Sequence, residues 1–136
     1  MFYENDCILN EALIFDSHSH YDDSKFDGIR AELLETMHNN GVAKIITCGC
    51  DVQSSKAALS LAEKYDFIYA AVGIHPGNLD NGTNLEEIKE LAKHPKCVAI
   101  GEIGLDYYWQ KDNAQLQKQT FIDQLKLASD LSMPVI

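Results

Sequence analysis

Two histidines separated by one residue stand near the start of the chain, in the stretch IFDSHSHYDD (residues 14–23). Successive side chains of a β-strand alternate between its faces, so His18 and His20 project from the same side, two rises of ~3.3 Å apart. Neutral imidazole is the commonest protein ligand for transition metals, and this spacing lets both rings bind one ion. The alternative is a pair of partly exposed histidines at a loop entry. We predict that His18 and His20 are metal ligands at the carboxyl end of the first strand.

A glutamate interrupts a second apolar stretch, AIGEIGLDYYW (residues 99–109). Glu102 comes at the end of the apolar run, between Gly101 and Gly104. A carboxylate in apolar surroundings must be paired or ligated, because burying it bare is costly. The alternatives are a structural salt bridge and a glycine-rich turn. We predict that Glu102 is a catalytic residue and a metal ligand, well suited to bridge two cations.

Further side chains near predicted strand ends are candidates for supporting roles. In GIHPGN (residues 73–78), His75 directly follows the third apolar run, and Pro76 and Gly77 shape a tight loop. We predict that His75 contacts a substrate phosphate, with a structural hydrogen bond to a neighbouring strand as the alternative. Three aspartates are predicted either to orient the ligands from behind or to cap a helix, namely Asp16, Asp22 and Asp106.

Short apolar runs alternate with helical patterns along the chain. The predicted strands, read as buried and parallel, are residues 13–18, 43–49, 67–73, 97–104 and 133–136. Apolar residues recur at helical spacing between the strands and are predicted to face the core. These stripes are Ile29, Leu33 and Met37; Ala57, Leu61 and Tyr65; Leu85, Ile88 and Leu91; and, in a helix over about 112–131, Phe121, Leu125 and Ala128 with Ile122 beside them.

Four strand–helix units followed by a fifth strand predict an α/β fold with a parallel sheet and helical crossovers. Two architectures are built from such units, the open doubly wound sheet and the closed (β/α)8 barrel. The periodicity of the sequence does not separate them. A chain of 136 residues favours one domain, large enough to bury roughly two thirds of its unfolded surface.

The net charge of −10 weighs against non-specific binding to nucleic acid, because a polyanion is repelled by a field of its own sign. Bound divalent metals, however, supply local positive charge without a basic track.

The four cysteines, Cys7, Cys48, Cys50 and Cys97, match neither a zinc knuckle nor a redox pair, and we predict reduced thiols, with the CGCD pair packed in the core. The N-terminus lacks the features of a secretory signal, and no apolar run is long enough for a membrane span. We expect a cytoplasmic protein.

Taken together, DSHSHYDD, GIHPGN and GEIGLDYYW, in this order and at these separations, resemble the TatD-type metal-dependent deoxyribonucleases, which belong to the amidohydrolase-like (β/α)8 hydrolases. The resemblance implies a partial TIM barrel over residues 13–136, about four βα units plus the fifth strand, with residues 1–12 as an extension. It implies two divalent ions (Mg, Mn or Zn) that activate a water against a DNA phosphodiester. His18 and His20 match the paired histidines, Glu102 the bridging glutamate, and His75 lies near the substrate phosphate.

The family pattern continues with two more histidine ligands and an aspartate, after the fifth, sixth and eighth strands, and residues 1–136 precede all three. We therefore expect little or no turnover from these residues alone. The alternatives are a non-catalytic binding module, association of two half barrels through exposed strand edges, and a small-molecule amidohydrolase. Many amidohydrolases place a modified lysine where this chain has Glu102, which favours the nuclease-like group.

Overall fold

The computed structural model describes residues 13–136, and within them it contains one four-stranded parallel sheet. The strands are β1 (Ile14–Ser19), β2 (Val42–Cys48), β3 (Ile68–Val72) and β4 (Cys97–Ile100). Their order in the sheet is β1-β2-β3-β4. The predicted N-terminal extension and Cys7 lie outside the described residues.

A helix follows each strand. The helices are α1 (Arg30–Asn39), α2 (Val52–Lys64), α3 (Leu85–Leu91) and α4 (Ala114–Asp130), with short 3-10 turns at Ser24–Phe26 and Pro76–Asn81. Across residues 13–136, none of the helices combines the length and the apolar character that crossing a bilayer requires.

Local chemistry sets several of the helix ends. The Asp51 side chain accepts a hydrogen bond from the Ser54 N–H, and the two residues form a capping box that begins α2. The Asn84 side chain accepts from the Glu87 N–H at 3.3 Å and begins α3. Gly41, with φ at 99°, takes the left-handed conformation that ends α1.

The strand order decides between the two predicted architectures. In a doubly wound sheet the side on which successive strands are added changes at a switch point. Here each strand lies next to the one before it, always on the same side. The predicted fifth strand is reduced to a single parallel bridge between Ile100 and Val135, flanked by a bond from the Ile100 N–H to the Pro134 carbonyl at 3.0 Å. The α/β fold of a partial (β/α)8 barrel is thus confirmed, as four βα units and the start of a fifth strand.

The main core lies between the sheet and the helices. Its largest fully buried side chains include Leu34, Ile45, Ile68, Ile88 and Ile100. A smaller cluster covers the opposite face of the sheet, which corresponds to the inside of a barrel, and consists of Ile46, Cys48, Ala71 and Ala99.

The prediction of a buried first strand is wrong. Ile14 and Phe15 of β1 are more than half exposed, because β1 pairs on one side with β2 and no other described strand covers its outer edge. Two further predicted core positions are exposed, Ile29 just before α1 and Ala57 on α2.

The predicted apolar stripe of α4 is right at Ala128, which is buried, and in part at Phe121, which is half-buried, but wrong at its other two positions. Ile122 and Leu125 are exposed, while Gln117, Thr120 and Gln124 are buried together with Ala128. The two glutamines take inward positions because each hydrogen-bonds backbone groups of a loop at the carboxyl end of the sheet. Periodicity of apolar residues cannot register such bonds.

We expect Gly49→Ala to destabilise the fold. An alanine Cβ at this position, just after β2, lies 2.2 Å from the Ser55 Oγ and 2.7 Å from the Ser55 backbone nitrogen. Because a backbone atom is involved, a side-chain rotation does not relieve the overlap, and we expect a loss of about 1–3 kcal/mol in the free energy of unfolding, measured by urea denaturation. Ala57→Ser, on the exposed side of α2, is the control and should change it by roughly 0.5 kcal/mol or less. An unchanged midpoint for Gly49→Ala would contradict the packing described.

Candidate metal centre

The three predicted ligands converge at the carboxyl end of the sheet. The Glu102 Oε2 lies 3.1 Å from the His18 Nε2 and 3.3 Å from the His20 Nε2. The three ligand atoms all lie within 4.8 Å of one another. The histidine side chains are partly exposed and the Glu102 side chain is less so, so that the cluster is open to solvent on one side.

Parallel strands bring these side chains together because their carboxyl ends share one edge of the sheet. His18 lies in β1 and His20 directly after it, while Glu102 follows β4. The Glu102 N–H donates to the Gly49 carbonyl at 2.8 Å, which fixes the glutamate backbone to the end of β2. The glutamate backbone is thereby held by a strand that lies between β1 and β4.

The tautomer of His20 follows from its second nitrogen. The Nδ1 of His20 lies 2.9 Å from the Cys48 carbonyl oxygen, which can only accept a hydrogen bond, so Nδ1 carries the proton. In the neutral ring the Nε2 lone pair is then free and faces Glu102. A metal-ligating histidine commonly donates its other ring N–H to a backbone carbonyl in this way.

The donor set fits a divalent cation. Metal–ligand distances of ~2.0–2.2 Å place neighbouring ligand atoms of a tetrahedral or octahedral site about 3.0–3.5 Å apart. The two nitrogen–oxygen distances to Glu102, 3.1 and 3.3 Å, fall in this range. Two imidazole nitrogens and a carboxylate oxygen are ligands that zinc and manganese accept, with magnesium favouring the carboxylate.

His75 lies beside the same carboxylate, but its neutral ring is in a different tautomer from that of His20. Its Nε2 lies 3.6 Å from the Glu102 Oε1, while its Nδ1 accepts a hydrogen bond from the Gly77 N–H at 3.0 Å. Because Nδ1 is an acceptor, the proton of the neutral ring is on Nε2. His75 therefore presents a donor to the site and no free lone pair at Nε2.

Helix α4 holds the loop that carries His75. The Gln124 Oε1 accepts from the Ile74 N–H at 2.7 Å, and the Gln124 Nε2 donates to the Ile74 carbonyl at 3.0 Å. Both residues are fully buried. Gln124 thus fixes the backbone immediately before His75. No short-range pattern in the sequence indicates this role, because the bonded backbone lies fifty positions away.

The three predicted supporting aspartates contact backbone or a neighbouring strand. The Asp16 Oδ1 accepts from the His18 N–H at 3.3 Å, and the Asp22 Oδ1 accepts from the Thr47 hydroxyl at 2.8 Å. The Asp106 Oδ1 accepts from the backbone N–H groups of Tyr108 and Trp109. Asp22 braces the loop after β1 against β2, and Asp106 caps a turn beyond Glu102.

Cys50 borders the site, although the sequence predicts it in the core. Its Sγ lies 3.9 Å from the Glu102 Oε2 and 4.0 Å from the His20 Nδ1, whereas Cys48 is buried as predicted. Burial, with Glu102 and Asp22 adding negative charge, raises the pKa of the Cys50 thiol to about 12, so the thiol is neutral at pH 7. Its place after β2, at the same edge as Glu102, is the signal that could have located it. The thiol also lines a cleft of ≈ 490 Å³ beside His20.

Comparisons with known proteins show the family to which the chain is related. The family model described as TatD related DNase matches residues 15–136. The chain is 40% identical over 126 residues to the uncharacterized metal-dependent hydrolase YabD of Bacillus subtilis (strain 168), covering 91% of this chain and 49% of YabD. It is 32% identical over 124 residues to the 3'-5' ssDNA/RNA exonuclease TatD of Escherichia coli (strain K12), covering 90% of this chain and 48% of that protein.

The fold has a solved counterpart. The crystal structure of YjjV, a TatD homolog from Escherichia coli K12, superimposes with a TM-score of 0.82 at 35% sequence identity, over 90% of this chain and 49% of YjjV. The class of protein that this match defines is a barrel-type α/β fold, here with a histidine and glutamate cluster at its carboxyl edge. More narrowly, the chain belongs to the TatD-related DNase family, and the resemblance seen in the sequence is confirmed. The chain spans about half the length of the curated relatives it matches.

We expect Gln124→Leu to destabilise the protein by about 2–4 kcal/mol in urea denaturation. The substitution leaves the buried N–H and carbonyl of Ile74 without partners, and each such group costs ~1–3 kcal/mol. Gln119→Leu is the matched control, because Gln119 lies on the exposed face of the same helix and bonds the Asp123 side chain alone in the described structure. Equal effects of the two substitutions would show that the Gln124 bonds do not hold the His75 loop.

Proposed function

We propose that residues 13–136 form the first half of a nuclease that hydrolyses phosphodiester bonds of DNA with a water activated by two divalent ions. The observation that carries the proposal is the convergence of two histidine nitrogens on one oxygen of Glu102. The name of the Escherichia coli relative, a 3'-5' ssDNA/RNA exonuclease, favours a single-stranded nucleic acid as the substrate.

The two oxygens of Glu102 support the use of two ions. Oε2 lies 3.1 Å and 3.3 Å from the His18 and His20 Nε2 atoms, whereas Oε1 is the oxygen that lies 3.6 Å from the His75 Nε2. With a histidine nitrogen near each of its two oxygens, Glu102 would be the residue that contacts both ions. Divalent ions at such a centre supply the hydrolytic nucleophile at neutral pH and offset charge on the phosphate.

The remaining residues have distinct roles in the proposal. His18 and His20 would hold one ion, and the Cys48 carbonyl keeps the His20 ring in the tautomer that this requires. His75 donates from Nε2 to a non-bridging phosphate oxygen, which binds and orients the substrate. Asp22 and Asp106 maintain the loops on which these groups lie.

Residues 13–136 alone should turn over little or no substrate. Three ligand side chains fill three coordination positions, and two ions require more protein ligands than that to be held in a defined geometry. In the family pattern the further ligands come from the second half of the barrel.

Exposed strand edges favour a second candidate, association of half barrels. Phe15 of β1 and Val135 beside β4 lie at opposite edges of the sheet, and both are about half exposed. An open parallel sheet with apolar edges tends to pair with another sheet. Association would bury these edges without requiring catalysis.

We also propose a reducing compartment, the cytoplasm, because the described cysteines are free thiols.

We expect the chain to bind Zn²⁺ or Mn²⁺ in isothermal titration calorimetry. His18→Ala, His20→Ala and Glu102→Gln should each weaken the affinity at least about 10-fold, because each removes a ligand. His94→Ala is the matched control, since His94 forms a comparable pair with Glu63 at 3.0 Å away from the cluster. An affinity that responds equally to His94→Ala, or to none of the four changes, would rule out the proposed centre.

Hydrolysis is tested with a chimera in which residues 13–136 are joined to the second half of YjjV. We expect metal-dependent cleavage of a single-stranded oligonucleotide by the chimera and little or none by the 136-residue chain. His75→Ala in the chimera should lower cleavage and leave the metal affinity unchanged, because Nε2 of His75 is a donor. Strong cleavage by the 136-residue chain would contradict the expected need for further ligands. A folded, metal-binding chimera without cleavage would contradict the nuclease assignment.

A further inference from the structure

The loop that carries Glu102 also carries three consecutive aromatic residues at the rim of the sheet. Residues 101–113 connect β4 to α4. Tyr108 and Trp109 are 72% and 78% exposed, and Tyr107 is about half exposed. Aromatic side chains normally bury most of their surface, so two adjacent rings this exposed call for a physical explanation.

These rings are exposed on an anchored backbone. The Asp106 Oδ1 accepts from the Tyr108 N–H at 3.0 Å and from the Trp109 N–H at 2.9 Å. The fully buried Gln117 accepts from the Asp106 N–H and donates to the carbonyls of Asp106 and Gln110. A buried side chain with this many bonds to one loop holds the loop in place.

The two rings are arranged to present separate faces. Tyr108 and Trp109 meet edge to face, with ring centroids 4.7 Å apart and planes at 90°. Stacking of a nucleic-acid base on an exposed aromatic face contributes substantially to binding and needs no charge on the protein. This matters for a chain with a net charge of −10, which does not favour binding through the phosphates.

We propose that Tyr108 and Trp109 form a stacking platform for the bases of a single-stranded nucleic acid bound at the metal centre. The inference rests on the proposed function, since it presumes a nucleic-acid substrate. Trp109 lies seven residues beyond Glu102, which limits their separation to ~25 Å, within the span of a short oligonucleotide. The platform holds the strand through its bases while the centre acts on a phosphate.

The chain offers a direct probe, because Trp109 is its single tryptophan. We expect an eight-residue oligothymidylate, titrated in the presence of EDTA, to quench the Trp109 fluorescence. An abasic deoxyribose-phosphate chain of the same length should not quench it, and a blunt duplex should quench it far less because its base faces are stacked internally. Binding should depend only weakly on salt. A plot of the logarithm of the binding constant against the logarithm of the salt concentration should have a slope shallower than about −0.7, the value for a single phosphate contact.

Variants test the residues separately, with binding followed by the anisotropy of a labelled oligothymidylate. Trp109→Leu and Tyr108→Leu should each raise Kd about 5- to 100-fold, whereas Trp109→Phe should retain most of the affinity. Phe15→Leu is the matched control, since Phe15 is an aromatic residue 58% exposed on β1, away from this loop, and it should leave Kd unchanged.

The outcomes separate this inference from the proposed function. Quenching by the oligonucleotide but not by the abasic chain supports the platform, even if the chimera fails to cleave. Equal quenching by the abasic chain, no quenching at millimolar oligonucleotide, or equal loss of affinity in Phe15→Leu would overturn the platform. In that case, cleavage by the chimera would still support the nuclease assignment, without the platform.

Discussion

Two imidazole nitrogens directed at one carboxylate oxygen are the interaction on which the functional interpretation depends. It exists because β1 and β4, although separated by two strands, end at the same edge of a parallel sheet. The bond from the Glu102 N–H to the Gly49 carbonyl ties the segment after β4 to the end of β2, past β3. Close packing of α2 against Gly49 keeps this strand end in position. The geometry of the cluster is thus a property of the sheet rather than of a single loop.

Helix α4 stabilises the functional edge with polar side chains. Gln124 binds the backbone before His75, and Gln117 binds the backbone of the aromatic loop after Glu102. Each buried amide satisfies backbone groups that would otherwise lack partners, which offsets the cost of burying it. The same helix therefore holds two separate loops of the site, and its apolar residues Ile122 and Leu125 are left on the outside.

Much of this arrangement could be predicted from the sequence, and the reasons for the failures are physical. The alternation of strands and helices, and the meeting of His18, His20 and Glu102, follow from short-range patterns and from the shared edge of parallel strands. The buried glutamines did not follow, because Gln124 bonds a backbone fifty residues away. The exposure of β1 was also missed, since an apolar run does not reveal whether a neighbouring strand covers it.

The central claim, that His18, His20 and Glu102 together hold a divalent cation, is tested most directly by anomalous diffraction. Crystals of the chain soaked in Mn²⁺ or Zn²⁺ should show an anomalous peak about 2.0–2.3 Å from the Nε2 atoms of His18 and His20 and from a carboxylate oxygen of Glu102. A peak at another cluster, or a fully occupied ion bound without Glu102, would contradict the account.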